Sequence, residues 1–500
     1  MRRETEGIVS EESLDPEDWE SMRELGQKML GDMLTYLKTV RDRPVWQGVP
    51  DEIKAHFSKR LPQNPQSPEA IYREFVEKVL PYPLGNIHPR FWGWAVGTGT
   101  IMGALAELLA ASMNSIAGGG NQSASYVETQ VVDWIKEMLG FPASASGLLT
   151  SGCSAANLIG LAVARNVKAG YDLRRKGLQK ASARMTLYAS QEIHSSIQQA
   201  VELLGLGSDA LHLVSMNDRF QIDLEALKAA ISRDRKDGSL PFCVVGAAGT
   251  INTGGIDNLN ALADICQREN LWFHVDGAFG AWAALAPNAK DKVTGMERAD
   301  SLALDLHKWM YMPYEIGCVL VQSEEGHRKT FALTPAYLAH GEGGRGIDGA
   351  DLPWPIDYDF LLSRRFRGLK AWMSLKEHGS RKYGRLIQQN INQASYLGEL
   401  IAARSELKLS APVTLNVVCF RYVTSSVDDA VLDELNKRIV TELQEQGTAV
   451  LSGTTIRGRY VMRVACVNHR SRREDFDILI QELVRVGKEL TTSGSKGSST

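Results

Sequence analysis

The sequence lacks paired cysteines, a long unbroken apolar run, an excess of either charge and any internal repeat. Each absence removes a class of protein. The six cysteines, Cys153, Cys243, Cys266, Cys318, Cys419 and Cys466, are scattered with no close pair. That pattern argues against a zinc site or a disulfide framework and fits the reducing cytoplasm. The most apolar stretch, 101–116, is interrupted by Glu107 and Ser112, so it reads as a buried helix and not as a membrane span. After Arg2 and Arg3 the N-terminus is acidic and polar, without the apolar core of a secretion signal. A net charge of −3 provides no field for nucleic acid or for a membrane surface.

What is present is the ordinary balance of a globular protein, with 44% hydrophobic and 23% charged residues. A chain of 500 residues has room for two or three domains. Asp15-Pro16-Glu17-Asp18 reads as a helix start, with a cap, a proline at the first position and acids in the first turn. Trp19, Met22, Met29, Met33, Tyr36 and Leu37 then recur at roughly helical spacing. One apolar stripe of this kind needs a partner, and a second subunit is a candidate. From about Gly85 to Gly384, short apolar strands at 186–189, 242–247 and 271–275 alternate with helices such as 258–269. Such alternation marks an α/β fold with a mostly parallel sheet covered by helices. After about Asn390, strands at 415–422 and 460–466 and helices at 428–446 and 474–490 outline a smaller α+β domain. The expected organisation is a helical dimerisation segment at 1–85, a large ligand-binding domain at 86–385, the α+β domain at 386–490 and a disordered tail at 491–500.

Five motifs carry chemistry. In His274-Val275-Asp276-Gly277-Ala278-Phe279-Gly280 a strand ends in an acid followed by small residues. Acids at the carboxyl ends of such strands sit where α/β folds bind ligands, although a structural turn or a metal ligand reads the same way. Thirty residues on, Leu304-Asp305-Leu306-His307-Lys308-Trp309 places a lysine between apolar residues. A desolvated lysine loses pKa and becomes a nucleophilic amine. The pair is more specific than either half, because pyridoxal phosphate needs a lysine to hold its aldehyde and an acid beside its pyridine nitrogen. The third motif, Thr150-Ser151-Gly152-Cys153-Ser154-Ala155-Ala156-Asn157, is a small-residue turn opening a helix, whose N–H groups suit a phosphate. The fourth is His194, just after the strand 186–189, and the fifth is Gly249-Thr250-Ile251-Asn252-Thr253-Gly254-Gly255 after another strand. Alone, either could be purely structural.

In this order, and with His88-Pro89-Arg90-Phe91-Trp92 and Ser363-Arg364-Arg365-Phe366-Arg367, the motifs resemble the group II pyridoxal-phosphate decarboxylases, the aromatic-L-amino-acid branch above all. The likeness runs from about residue 15 to residue 490. It implies a fold-type-I enzyme that forms a homodimer and binds pyridoxal 5′-phosphate and an amino acid. Lys308 would hold the cofactor as a Schiff base and Asp276 would pair with the pyridine nitrogen. His194 would stack on the ring and approach the substrate carboxylate, while Ala278 and Thr250 line the cofactor. Gly152, Cys153, Ser154 and His307, helped by Ser301, would surround the phosphate. Asp305 stands where the aromatic branch usually has Asn, and a carboxylate beside a phosphate would repel it, so direct contact is not expected.

The same resemblance assigns the Gly-rich segment 333–358 to a mobile catalytic loop and Tyr337 to its catalytic tyrosine. A phenol there can protonate the carbon that has lost carbon dioxide. Aldehyde synthases of this family carry phenylalanine instead, so Tyr337 points to amine as the product. The substrate pocket would be lined by Trp92, Trp94, Gly97 and Ser363, with Ile116 and Gly118 from the second subunit. Gly97 and Gly118 stand where the animal enzyme has larger residues and imply a roomier pocket, while Ser363 matches plant enzymes acting on phenolic substrates. Tyrosine or DOPA and tryptophan therefore stand together as candidates, with glutamate behind them. The other readings are an aldehyde synthase, another fold-type-I enzyme and a non-catalytic scaffold; Tyr337, the His-Lys-Trp context and the intact Lys308 and Asp276 argue against each in turn.

Overall fold

The computed structural model describes residues 12–181, 183–333, 346–347, 352–424 and 428–496. The chain divides into two compact units, residues 1–43 with 47–84, and residues 44–46 with 85–500.

The smaller unit is helical. Its long helix, Trp19–Lys38, begins three residues later than the sequence pattern implied, because Asp18 accepts the N–H groups of Glu20 and Ser21 and is the actual cap. Asp15 and Pro16 lie outside the helix. A second helix, Pro68–Lys78, joins the first through Tyr72, whose hydroxyl donates to Asp32 at 2.8 Å. The long helix buries only Leu25, and Trp19, Met22, Met29, Leu30 and Leu34 remain exposed.

The larger unit is built on a seven-stranded sheet of β1 (Ser146–Thr150), β2 (Met185–Ser190), β3 (Leu211–Val214), β4 (Leu240–Ala247), β5 (Trp272–Asp276), β6 (Ser301–Asp305) and β7 (Gly317–Val321). The order is β1-β7-β6-β5-β4-β2-β3, with β7 antiparallel to both its neighbours and the other pairings parallel. Residues in β2, β5, β6 and β7 are buried throughout, as expected when helices cover both faces of a sheet. Register pairs Asp276 on β5 with Ala303 on β6. The carboxyl ends of these two strands therefore lie side by side and carry Asp276 and Asp305.

Beyond it, β8 (Leu407–Leu409), β9 (Val417–Tyr422), β10 (Ser452–Ile456) and β11 (Arg459–Ala465) form an antiparallel sheet in the order β10-β11-β9-β8. The helices Asp429–Glu445 and Arg473–Lys496 share a core with it through Ile439, Leu443, Phe476 and Leu483. The last helix runs to Lys496, six residues into the stretch expected to be disordered. Another long helix, Gly368–Ala402, passes through residue 385 with a kink at Gly379, so no chain break in structure falls at that position.

The helix Ile101–Met113 departs from expectation. It buries only Gly103 and Ala106, while Ile101, Leu108, Leu109 and Met113 are exposed, as is Ile116 just beyond. Its composition is that of a buried helix, but nothing among the described residues covers this face.

Most of the segment 333–358, Tyr337 included, lies outside the described residues. The base of the segment is tied. His327 Nε2 meets the Tyr358 carbonyl at 2.9 Å, the Tyr358 hydroxyl donates to Glu324 at 2.9 Å, and Arg328 pairs with Asp357 at 3.3 Å.

Candidate active site

The helix Cys153–Lys168 starts immediately after β1 and the turn Ser151-Gly152. Its first N–H groups have no acceptor within the helix, as at every helix start. One of them, Cys153 N–H, donates to Asp305 Oδ1 at 2.6 Å. The other oxygen of that carboxylate lies 3.0 Å from Lys308 Nζ and 3.6 Å from His307 Nε2. On its far side Cys153 reaches the second acid, with Sγ donating to Asp276 Oδ1 at 3.5 Å. A single residue at the helix start thus touches both acids, one of which holds the lysine. Burial pushes the Cys153 thiol far up, and both neighbouring carboxylates add to this, so it is a neutral donor.

Asp276 is held by three groups. Oδ1 also accepts Ala278 N–H at 3.1 Å, and Oδ2 accepts Asn157 Nδ2 at 3.3 Å. Asn157 in turn joins Ser196 at 3.1 Å and His274 Nε2 at 2.9 Å. Burial holds His274 down at about 4, hence neutral. The turn after Asp276 requires its small residues, since a Cβ on Gly280 would stand 2.0 Å from the Ala248 carbonyl oxygen.

His194 caps the helix Ser195–Leu203. Its Nδ1 accepts the Ser196 N–H at 3.1 Å and lies 2.8 Å from the Ser196 hydroxyl. That leaves Nε2 as the nitrogen carrying hydrogen. Burial lowers its pKa, opposed in part by Asp276. Lys308 departs from the sequence expectation of a depressed amine. Burial pulls it down, but the opposing charges outweigh this, Asp305 foremost among them, and the ammonium ends above its ordinary range.

These groups fit pyridoxal phosphate. An amine, a buried carboxylate held by neutral donors and a helix start for a phosphate lie within one hydrogen-bonded set centred on Cys153. Residues 50–423 match the pyridoxal-dependent decarboxylase conserved domain. The chain belongs to that family. It is 32% identical over 484 residues to an aromatic-L-amino-acid decarboxylase of Bacillus atrophaeus, covering 95% of this chain and 97% of the relative. It is 27% identical to tyrosine decarboxylase 4 of Petroselinum crispum, covering 91% of this chain and 88% of the relative. The fold matches that of the Oryza sativa TDC crystallised with PLP and tryptamine, with a TM-score of 0.88, 23% identity and coverage of 96% and 100%. The protein is a fold-type-I, pyridoxal-phosphate-dependent amino-acid decarboxylase.

Several of the decarboxylase's expected site residues sit elsewhere. Ser301, expected at the phosphate, is fully buried at the other end of β6, where its hydroxyl accepts Trp272 Nε1 at 2.8 Å and meets His274 Nδ1 at 2.7 Å. It orients His274 from below. Trp92, expected in the substrate pocket, is 1% exposed and stacks on Phe476 in the C-terminal core. Trp94, at 55%, is the exposed member of the pair. Gly97 does not enlarge a pocket, since a Cβ there would stand 1.5 Å from the His307 carbonyl oxygen. It lets the chain pass against the residue before Lys308. Gly118 is likewise tight, with Leu362 O 2.9 Å from a Cβ position. Ser363 is exposed beside it, its neighbour Arg364 pairing with the backbone of Ala117. Among the described residues no hydrogen bond links Ile116, Gly118 or Ser363 to Lys308, Asp276 or His194. Arg364 itself is buried, bound to Glu128 at 2.6 Å and Asp359 at 3.4 Å, so the Arg-rich motif is a structural tie. The Thr250 hydroxyl closes its own turn, meeting Gly255 N–H and Thr253 at 3.0 Å each.

Sequence reasoning missed the bond from Asn157 to Asp276 and the contact of Asp305 with the helix start. Asn157 stood one helical turn after Cys153, on the same face, and that spacing was the available signal.

Proposed function

We propose that this decarboxylase acts on an aromatic L-amino acid, tyrosine or DOPA or tryptophan, and releases the amine and carbon dioxide. The observation that carries this reading is the convergence of Lys308, Asp276 and the helix start around Cys153. The names of the relatives supply the aromatic class. The cofactor, when bound, would supply the electron sink that takes up the electron pair left as the bond to carbon dioxide breaks.

In this reading Lys308 anchors the cofactor aldehyde. Asp276, fixed by Asn157, Ala278 and Cys153, keeps the pyridine nitrogen protonated. The N–H groups of Ser154 and Ala155, with Gly152, Cys153 and His307 around them, take the phosphate. His194 would present Nε2–H to the substrate carboxylate and help to orient it. Thr250 and Ala278 border the cofactor through backbone and methyl groups, since the Thr250 hydroxyl is engaged in its turn. Trp94 offers an aromatic surface beside Gly97 for the substrate side chain. Tyr337 delivers the final proton to carbon, which favours amine over aldehyde.

The functional form is a homodimer. The exposed apolar face at Ile101, Leu108, Leu109, Met113 and Ile116 is the kind of surface a two-fold partner covers. Ile116 and Gly118 would then complete the partner's substrate pocket. Six free, buried cysteines favour the cytoplasm. Among the described residues no helix is long and apolar enough to cross a membrane.

The test is carbon dioxide release from tyrosine, DOPA, tryptophan and glutamate, with the organic product identified. Amine from an aromatic substrate is the expected result. Release from glutamate alone overturns the aromatic assignment, and release from none overturns the activity.

A further inference from the structure

Asp305 is the group that the rest of the site does not explain. The residue is 2% exposed. It accepts the first N–H of the helix Cys153–Lys168 at 2.6 Å, and it binds Lys308 Nζ at 3.0 Å. These are the two attachment points a phosphorylated aldehyde cofactor needs, an N–H at a helix start and the anchoring amine. The backbone of Asp305 is pinned, so only its side chain can turn aside. Its N–H donates to Ala278 O at 3.0 Å, and its carbonyl accepts Trp282 Nε1 at 2.7 Å.

We propose that Asp305 is a built-in competitor for the cofactor's phosphate, occupying the helix start and the anchoring lysine until the cofactor displaces it from both. The idea rests on the reading above that this helix start holds the phosphate. Two anionic groups cannot share one helix start without repulsion, and within about 4 Å in a dry site that repulsion is strong. Capture also removes the cation that offsets Asp305. The Lys308 amine condenses with the aldehyde, forming a carbon–nitrogen double bond and releasing water, while its ammonium proton leaves to solvent. His307 Nε2, 3.6 Å away, is the remaining polar neighbour toward which the displaced carboxylate can turn. The consequence is a site that exchanges its cofactor more readily than one with a neutral residue here.

The probes are pyridoxine 5′-phosphate and pyridoxine, which lack the aldehyde and so separate phosphate binding from condensation with Lys308. Binding of each to the full chain freed of cofactor is measured by titration calorimetry for wild type, Asp305→Asn and Asp305→Ser. Loss of pyridoxal phosphate from the loaded protein is followed by its absorbance band. The expected result is that both variants bind pyridoxine 5′-phosphate about tenfold or more tighter, bind pyridoxine unchanged, and lose the cofactor more slowly. Equal or weaker affinity for the phosphorylated probe in both variants overturns the proposal. So does an equal change for both probes, which marks Asp305 as a merely structural residue. Ser154→Asp provides the control. If it abolishes the preference for the phosphorylated probe while Asp305→Asn leaves affinity unchanged, the helix start holds the phosphate and only the competitor role fails. If Ser154→Asp has no effect, the phosphate lies elsewhere and the underlying reading fails with it.

Discussion

The carboxyl end of the sheet and the surface around the helix Ile101–Met113 are both rich in residues that sequence patterns single out, yet they are finished to different degrees. At the sheet end Asp276, Asp305, Asn157 and His274 are buried and partnered within the chain. Around the helix Ile101–Met113, large apolar side chains face outward and Ile116 stands exposed. A buried charge tolerates no missing partner, because leaving it unpaired costs several kcal/mol, and each of these charges has its partner within the one chain. An apolar face can wait for a second copy, since its burial contributes whenever the partner arrives. The difference separates what one chain supplies from what an assembly adds.

Removing a group from the finished region produces the largest effect. Lys308→Ala lowers turnover by at least about four orders of magnitude, and borohydride no longer fixes the cofactor to the chain. A variant that retains a borohydride-fixed cofactor at normal occupancy would show that another amine anchors it.

The unfinished region is next. Leu108→Glu puts a charge on the exposed face, at both halves of the proposed two-fold interface. With about 2 kcal/mol lost per leucine, the dimer dissociation constant rises by roughly a thousandfold. Light scattering should report monomer at concentrations where wild type is dimeric, with activity falling in step. A Leu108→Glu protein that stays dimeric and fully active places the interface elsewhere.

Tyr337→Phe removes one oxygen and leaves substrate binding intact. The product should move from amine toward aldehyde, ammonia and peroxide with oxygen consumed, and the reaction should stall without oxygen. Amine as sole product at a near-normal rate excludes Tyr337 as the proton donor.

The smallest effect concerns His327, which ties the helix Glu324–Phe331 to Tyr358. Burial holds this histidine at about 4, against an ordinary value of about 6.5. The unfolded chain therefore binds the extra proton first. Stability is full above pH 6.5 and declines as the pH falls from there toward 4, by about 2 kcal/mol between pH 7 and pH 5 from this group. Urea unfolding of His327→Gln at the two pH values should show a smaller difference than wild type. An identical difference assigns the acid sensitivity to other groups.

Much of this was legible in the chain. The strand ending in Asp276 was readable because parallel strands buried on both faces form short apolar runs, and the helix at 258–269 because Asn258 caps it by accepting Ala261 N–H. The pairing of Lys308 with Asp276 was readable because one cofactor requires both residue types. Exposure was not. The stretch 101–116 and Trp92 are similarly apolar, yet Trp92 stacks on Phe476, nearly four hundred residues away, while Leu108 faces outward.

By itself, then, the sequence determined the α/β alternation, the family and the residue types that meet the cofactor, because these depend on local periodicity and on chemistry that needs particular side chains. Only the tertiary structure decided that Ser301 supports His274, that Gly97 serves close packing instead of pocket volume, and that Asp305 reaches both Cys153 and Lys308. The link from Asp305 to Cys153 joins residues more than a hundred and fifty positions apart. No local pattern encodes a contact made by the register of β1 and β6 on either side of β7 and the placement of a helix start beside them.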